Sequence, residues 1–398
     1  MLRFLTAGES HGRGLVGIIE SFPAGFEISI EGVNHQLSRR QAGYGRGKRM
    51  RIENDRVTIL SGLRHGRTLG SPISILIENK DWPNWKDAMD VDRPIRRNNN
   101  RSGKPVNPVI TTPRPGHADL AGGIKFHTHD LRNVVERASA RETAARVACG
   151  AIARQLLEYF DIRIVSHVLA IGKTRLRQKR VNVFDIMQKS DSSPVRCIDL
   201  NTSERMIAEI KKALDDGDTL GGLFEVRAVN LPAGLGSPAQ WSTRLDGKLA
   251  EAIMSIPSVK AVEIGDGFES GRKRGSQVHD RIYFESSSAS IRSKHFVRRT
   301  NSAGGIEGGM TNGEELVIRG ACKPIATLLH PLDSVDILTK SPAEGANERS
   351  DVCIVPSAAV VGEAMVALVL ASAFTDKFGH DSRTEIEANF RAYLEREF

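Results

Sequence analysis

Ser357-Ala-Ala-Val-Val-Gly-Glu-Ala-Met-Val-Ala-Leu-Val-Leu-Ala-Ser-Ala-Phe374 is apolar or small on every face of a helix, and Glu363 is its one charged residue. A helix on a protein surface keeps a polar side, so one that is apolar nearly all round belongs between layers. Its greasiest part, Ala364 to Phe374, is too short to span a bilayer. A second helix reads from Ser139-Ala-Arg-Glu142, which has the form of a capping box, to about Phe160. Its stripe of Ala140, Ala144, Ala148, Ala151 and Ile152 is small enough for another element to pack closely.

Short β-like runs surround these helices: Leu15–Glu20, Phe26–Ile30, Val57–Leu60, Ile73–Ile77, Ile162–Ile171, Phe224–Leu231, Ala261–Ile264, Arg281–Phe284 and Leu316–Arg319. Their irregular spacing is unlike regular βαβα winding. The predicted fold class is therefore α+β, with antiparallel sheets and the helices sandwiched between them. Gly14-Leu15 leads through a strand to Pro23-Ala-Gly25, and Gly222-Leu223 leads similarly to Pro232-Ala-Gly234. This echo allows an internal pseudo-repeat, although matches so short also arise by chance. No Pro/Ser linker separates the halves. One continuous domain over residues 1–398 is expected, with long loops near 39–51, 93–108 and 285–313.

The composition leaves room for a sizeable core, with 40% apolar and 26% charged residues among 398, and argues against disorder. Aromatics at 5% argue against a surface that stacks sugars or single-stranded bases. Lys and Arg number 56 against 48 Asp and Glu, a net charge of +8. That suits an anionic partner: nucleic acid, a membrane surface or small phosphorylated acids. Cys149, Cys197, Cys322 and Cys353 lie far apart and form neither a disulfide framework nor a zinc pattern. The segment from Met1 to Gly12 reaches charge and glycine too soon for a signal peptide, so a cytoplasmic location is expected.

Gly12-Arg-Gly-Leu-Val-Gly17 matches GxGxxG by letter, but that fingerprint needs a strand before it and a helix after it. Here a β-branched run follows and Pro23 arrives soon after, which argues against a Rossmann turn. Gly45-Arg-Gly-Lys48 lacks the Ser or Thr and the glycine spacing of a Walker A loop. His127-Thr-His129 has metal-like spacing on a strand. Without carboxylate or thiol neighbours it reads as surface histidine, and no metal is expected. Arg39 to Arg51 holds Arg39, Arg40, Arg46, Lys48, Arg49 and Arg51 without one acid. It reads as a solvated loop, a nucleic-acid loop or a guanidinium cluster for a small polyanion, and charge alone does not choose.

Gly8-Glu-Ser-His-Gly12 and Arg114-Pro-Gly-His-Ala-Asp119 each hold a histidine in a tight turn. Two such turns suit a paired acid and base, because histidine titrates near neutrality. Glu136-Arg-Ala-Ser-Ala-Arg-Glu142 sets an arginine and Ser139 at a helix N-terminus, a seat for phosphate if Ser139 is not simply a cap. Gly304-Gly-Ile-Glu-Gly-Gly-Met-Thr-Asn-Gly313 opens backbone amides to a ligand, or is only a string of turns. Arg349-Ser-Asp351 taken alone is a surface ion pair.

Together, GESHG at Gly8–Gly12, RPGHAD at Arg114–Asp119 and ERASARETAARVACG at Glu136–Gly150 resemble the chorismate synthase family. So do Ala261–Phe268, Ala303–Gly313, Lys323–Leu328 and Arg349–Glu363, in order and over nearly the whole chain. The resemblance implies a lyase of the shikimate pathway that converts 5-enolpyruvylshikimate 3-phosphate to chorismate and phosphate. The reaction is a 1,4-anti elimination that needs reduced FMN, in a β-α-β sandwich assembled as a homotetramer. Substrate and cofactor together bring two phosphates and two carboxylates, which suits an arginine-rich cleft.

The resemblance also implies roles for single residues. His11 would protonate the departing phosphate, His117 would protonate the reduced flavin, and Asp351 would help flavin N5 accept the substrate proton. Ser10, Arg40, Arg46, Arg49, Arg114 and Arg349 would hold substrate anions. Arg40 and Arg46 also match NADPH positions, with a separate flavin reductase as the other source of electrons. FMN contacts carry over to Arg137, Ala138, Ser139, Lys260, Ala261, Gly308, Lys323, Pro324, Ile325, Ala326, Thr327 and Arg349. No nucleic acid and no membrane is implied as a partner. Ala138 stands where many relatives have serine, and Ala326 replaces a proline or serine, so altered FMN affinity rather than lost activity is expected.

Overall fold

The computed structural model describes residues 1–47, 53–92, 109–177, 181–285, 290–346 and 351–398. The first sheet contains β1 (Arg3–Ala7), β2 (Gly14–Glu20), β3 (Val57–Ser61) and β4 (Ile73–Glu78), in the order β1-β2-β4-β3. The second contains β5 (Arg163–Ile171), β6 (Thr174–Arg175), β7 (Gly222–Val229), β8 (Val259–Ile264) and β9 (Leu316–Cys322), in the order β8-β9-β7-β5-β6. Every pairing in both sheets is antiparallel. The longer helices are α1 (Ile30–Gln41), α2 (Asp119–Lys125), α3 (Arg132–Ala138), α4 (Thr143–Tyr159), α5 (Val183–Lys189), α6 (Leu200–Asp215), α7 (Leu245–Met254), α8 (Val355–Phe378) and α9 (Arg383–Glu395).

Alternation along the strands decides which faces meet the helices. Leu15 and Ile19 of β2 and Ile73, Ile75 and Ile77 of β4 are fully buried, and so are Phe224, Val226 and Ala228 of β7. Helix α4 lies on β2 and β4, α8 lies on β5 and β7, and the two helices pack on each other. This is the expected sandwich of helices between antiparallel sheets. At the helix crossing, a Cβ on Gly150 would sit 2.5 Å from Ala364 Cβ, so glycine is what permits the approach.

Helix α8 is longer than its hydropathy suggested. Thr375, Asp376 and Lys377 belong to its last turns before Gly379 at φ +105°. By length and composition alone it is long enough to cross a membrane, but 89% of its most apolar window is buried inside the protein. The one charge in its middle, Glu363, is also accounted for. Glu363 accepts hydrogen bonds from Arg39 (2.6 and 2.9 Å), Arg154 (2.7 Å), Arg196 (3.3 Å) and the Ser166 hydroxyl (2.6 Å). Arg39 is thereby withdrawn from the basic stretch it was read into, and Asp191 takes its Nε at 2.9 Å.

The pseudo-repeat is real in three dimensions. Leaving aside the edge strand β6, the order β1-β2-β4-β3 recurs as β5-β7-β9-β8. After β2, the Thr68 hydroxyl donates to Pro23 O (2.6 Å) and accepts from Phe26 N (3.0 Å), while Gly25 N donates to Thr68 O (2.9 Å). After β7, the Thr311 hydroxyl donates to Pro232 O (2.6 Å) and accepts from Leu235 N (2.8 Å), while Gly234 N donates to Thr311 O (2.7 Å).

Three local expectations differ from the structure. Phe26–Ile30 is no strand: Phe26 and Ile28 bond to the Thr68 corner and to Gly66, and Ser29 caps α1 at Ile30. The capping box is half formed. Ser139 accepts from Arg141 N at 3.3 Å, but Glu142 pairs with Arg146 at 2.8 Å, so a short 3-10 turn precedes α4. His127 and His129 lie in the turn between α2 and α3 rather than on a strand.

Candidate active site

The 3-10 turn leading into α4 and the first turn of α8 open onto one cavity of about 840 Å³. Ala138 to Thr143 form one part of its wall, and Ile354, Ser357 and Ala358 another. Helix N-termini carry partial positive charge and unpaired N–H groups, so two together favour anions. Among the described residues the wall adds five cations, Arg40, Arg46, Arg114, Arg141 and Lys323, against the carboxylates Asp81 and Asp351.

The turn between β1 and β2 brings Ser10 and His11 into this cavity, docked on the end of α3. Ser10 N donates to Glu136 O at 2.9 Å. Glu136 accepts from His11 N at 2.8 Å and holds His11 Nδ1 at 2.9 Å. Arg132 reaches the same carboxylate at 3.2 Å. Burial opposes ionisation of Glu136, but the His11 hydrogen bonds and nearby charge outweigh it and hold the carboxyl below its usual range. An ionised Glu136 makes Nδ1 the donor and leaves Nε2 as the working nitrogen.

His117 is built the same way on another carboxylate. Its Nδ1 meets Asp119 Oδ1 at 2.5 Å, and Arg114 donates to Asp119 through Nε at 2.8 Å and Nη2 at 3.1 Å. Asp119 is fully buried. Desolvation alone would raise its pKa, but the bonds from His117 and Arg114 hold it well below the carboxylate range. Arg114 Nη1 also donates to Thr327 Oγ1 at 3.1 Å, and Lys323 Nζ bonds Gly116 O, so the KPIxT segment closes over this turn.

Arg46 and Gly47 N clamp Asp351 at 2.7 and 2.6 Å, which ties the basic loop to the start of α8. Arg40 donates to Thr143 Oγ1 and Ala140 O, both at 2.9 Å, and burial lowers its guanidinium to about 10 despite Asp55. Arg141, adjacent in the wall, donates to Asp55 at 2.6 Å and Asn79 at 3.0 Å. Arg40 Nη1 and Arg141 Nη2 are buried without a hydrogen bond within 3.5 Å among the described residues, and their nearest carboxylates are Asp55 and Glu53, each at 3.6 Å. Such donors normally find an acceptor.

Of the residues singled out from sequence, the cavity gathers Ser10, His11, Arg40, Arg46, Arg114, His117, Ala138, Ser139, Lys323, Ile325, Ala326, Thr327 and Asp351. Arg49 and Arg349 lie outside the described residues. Pro324 belongs to the wall segment without lining it. Arg137 instead turns its guanidinium to Thr6 O and Gly8 O, at 2.8 and 3.1 Å. Lys260 and Ala261 follow the wall residue Ser258 on β8 but do not line the cavity. Gly308 sits in the hairpin turn between Ile306–Glu307 and Met310–Thr311, away from the wall. Sequence reading missed Asp81, Asn84, Trp85 and Arg141. Arg141 was within a quoted motif, and Trp85 was an aromatic in a chain that has few.

The sequence matches the family model described as chorismate synthase over residues 2–375. Chorismate synthase of Solibacter usitatus (strain Ellin6076) is 52% identical over 397 residues, covering 100% of this chain and 99% of its own. That of Alkaliphilus metalliredigens (strain QYMF) is 52% identical over 396 residues, covering 99% of each. A crystal structure of chorismate synthase superposes with a TM-score of 0.77 at 40% identity, covering 99% of this chain and 97% of the other.

Proposed function

Because the chain belongs to the chorismate synthase family, we propose that it converts 5-enolpyruvylshikimate 3-phosphate to chorismate and phosphate with the help of reduced FMN. The observation that carries this is the pair of histidines, each held through Nδ1 on a buried carboxylate and both facing one cation-lined cavity. Its residues fit an anionic substrate and a flat cofactor. Arg40 and Arg141 bring charge to the wall, and Val135, Ile256, Pro257, Ile325 and Val361 give it an apolar part.

Reduced FMN, when bound, supplies the transient electron that lets phosphate leave before the substrate's unactivated C–H bond breaks. Ala138, Ser139 and the Lys323–Thr327 segment would hold it, with Arg137, Lys260, Ala261, Gly308 and Arg349 as further contacts inherited from the family. The chain's own residues do the rest. Ser10, Arg40, Arg46 and Arg114, with Arg49 and Arg349, bind the substrate phosphate and carboxylates. His11 delivers a proton from Nε2 to the departing phosphate. His117 keeps a proton at the other side of the site, oriented by Asp119. Asp351, clamped by Arg46 and Gly47, would help flavin N5 accept the substrate proton.

The same reading assigns Arg40 and Arg46 to NADPH as reductant, with a separate flavin reductase as the alternative. It places the enzyme in the cytoplasm, in keeping with four buried free cysteines. A homotetramer is supported by the outer face of the first sheet, where Leu5 is 71%, Ile18 37% and Leu60 58% exposed. The test is anaerobic mixing with reduced FMN and 5-enolpyruvylshikimate 3-phosphate. Equal, flavin-dependent release of chorismate and phosphate is expected. NADPH as sole reductant then decides the source of electrons. His117→Ala with near wild-type turnover would remove that residue from the mechanism.

A further inference from the structure

The positive charge that draws a phosphate into this cavity also works against an acid placed there. Arg40, Arg46, Arg114, Arg141 and Lys323 share the wall with His11, and nearby cations favour the neutral imidazole. Arg132, on α3, adds another positive charge beside Glu136. Asp351 and Asp81 offset part of this, and Asp351 is already clamped by Arg46. An imidazole that must give a proton to phosphate needs local groups that favour its charged form.

Glu136 is one such group. The other is an aromatic ring. Trp85 lies with its ring centroid 3.8 Å from that of His11 and the planes 23° apart, a stacked pair. The indole is itself fixed: Nε1 donates to Asp81 Oδ2 at 3.0 Å, and Asn84 holds the other oxygen of Asp81 at 2.7 Å. Arg132 Cζ lies 5.1 Å from the same indole while its Nη1 reaches Glu136. The Trp82–Asn84 turn sets this geometry, with Trp85 N donating to Trp82 O at 2.9 Å.

We propose that Trp85 is a positioning residue for His11: its indole face pins the imidazole with Nε2 toward the cavity and favours the imidazolium. A cation over an indole face gains more than a neutral ring does, and the gain grows as water is excluded. Trp85 also lines the cavity, and the role assigned to it is the one it exerts through His11. The inference rests on His11 being the acid, as proposed above.

Trp85→Leu, Trp85→Phe and His11→Asn test it through two readouts. The first is intrinsic tryptophan emission of the cofactor-free protein against pH. A stacked imidazolium quenches indole, so wild type shows a titration that is absent in both His11→Asn and Trp85→Phe. The second is the alkaline limb of kcat/KM, where the acid loses its proton. Trp85→Leu moves this limb to lower pH, and Trp85→Phe recovers at least half of the change. An unchanged limb in Trp85→Leu, with His11→Asn inactive, overturns the role of Trp85 and leaves that of His11 standing. A uniform loss of kcat without a shift also overturns it, because that is a structural effect. Should His11→Asn keep turnover, the assignment of the acid fails first.

Discussion

Replacing Glu363 with glutamine keeps the volume of the side chain and removes only its charge. Four donors converge on this carboxylate within 2.9 Å: two from Arg39 and one each from Arg154 and Ser166. Arg196 stands at 3.3 Å. A glutamine offers one oxygen and turns its NH₂ toward guanidinium donors, leaving three arginines with only Asp191 and Glu158 as counter-charges around a site where Glu363 is 2% exposed. Breaking a buried ion pair from one side costs about 3–5 kcal/mol, and that is the loss expected at neutral pH. Burial alone would raise the Glu363 pKa, but the arginines hold it far below the usual carboxylate range. Its contribution is therefore fully present above the unfolded pKa of roughly 4.3 and lost as pH falls from there toward the folded value. Urea unfolding at fixed protein concentration should show a constant gap between wild type and Glu363→Gln from pH 8 to about 5. The gap should narrow below about 4. A glutamine variant within about 1 kcal/mol of wild type at pH 7 would refute the reasoning, since Asp191 and Glu158 would then suffice to balance the three arginines.

Gly150→Ala should destabilise by about 1–2 kcal/mol although alanine favours helix by about 1 kcal/mol, because overpacking costs more. Its new Cβ would meet Ala364 Cα and O at 2.6 Å, and a raised denaturation midpoint would show instead that the helices slide apart freely. Burial pushes the thiols of Cys149 and Cys322 up to about 12 and that of Cys353 up to about 11. A thiol reagent at pH 8 should leave native protein unlabelled and modify all four cysteines after denaturation. Rapid native labelling would mean that one of them opens to solvent. Ala138→Ser should tighten FMN binding by up to about tenfold, the worth of one hydrogen bond to a charged group, and calorimetry showing no change would make the position irrelevant.

What the sequence carried best was pattern repeated within one element. The all-round apolarity of α8 and the alternation of β2, β4 and β7 place the layers, and both follow from burial of contiguous residues. The turns carrying His11 and His117 were also legible, because glycine and proline mark tight backbone and histidine names the chemistry. Long-range pairing was not. Arg39 looks like its basic neighbours until Glu363, 324 positions away, is placed beside it. Phe26–Ile30 has strand composition, yet its N–H groups bond to a hairpin loop whose position is a tertiary fact. Trp85 and Arg141 carried no spacing signal, since stacking on His11 and pairing with Asp55 depend on chain segments far from them in sequence. Arg137 shares a motif with Ser139 but turns its guanidinium to β1.

Two corners that agree hydrogen bond for hydrogen bond, where the sequences share little beyond Pro-Ala-Gly, are what a doubled ancestral half leaves behind once its side chains diverge. A half-length ancestor would have contributed one long helix and closed its anion pocket only by pairing with a copy of itself. Such a pair would be symmetric, with equal turns on both sides and no preferred direction for a proton. The present chain departs from that equality in its connections, for the link between β3 and β4 spans residues 62–72 and that between β8 and β9 spans 265–315. Between β1 and β2 it kept a short turn and placed Ser10 and His11 there, whereas between β5 and β7 the same link grew into residues 172–221, with β6, α5 and α6. The short link thus holds His11 on one side only, while the long link lays α5 and α6 against the strands β5 and β6 of the second sheet.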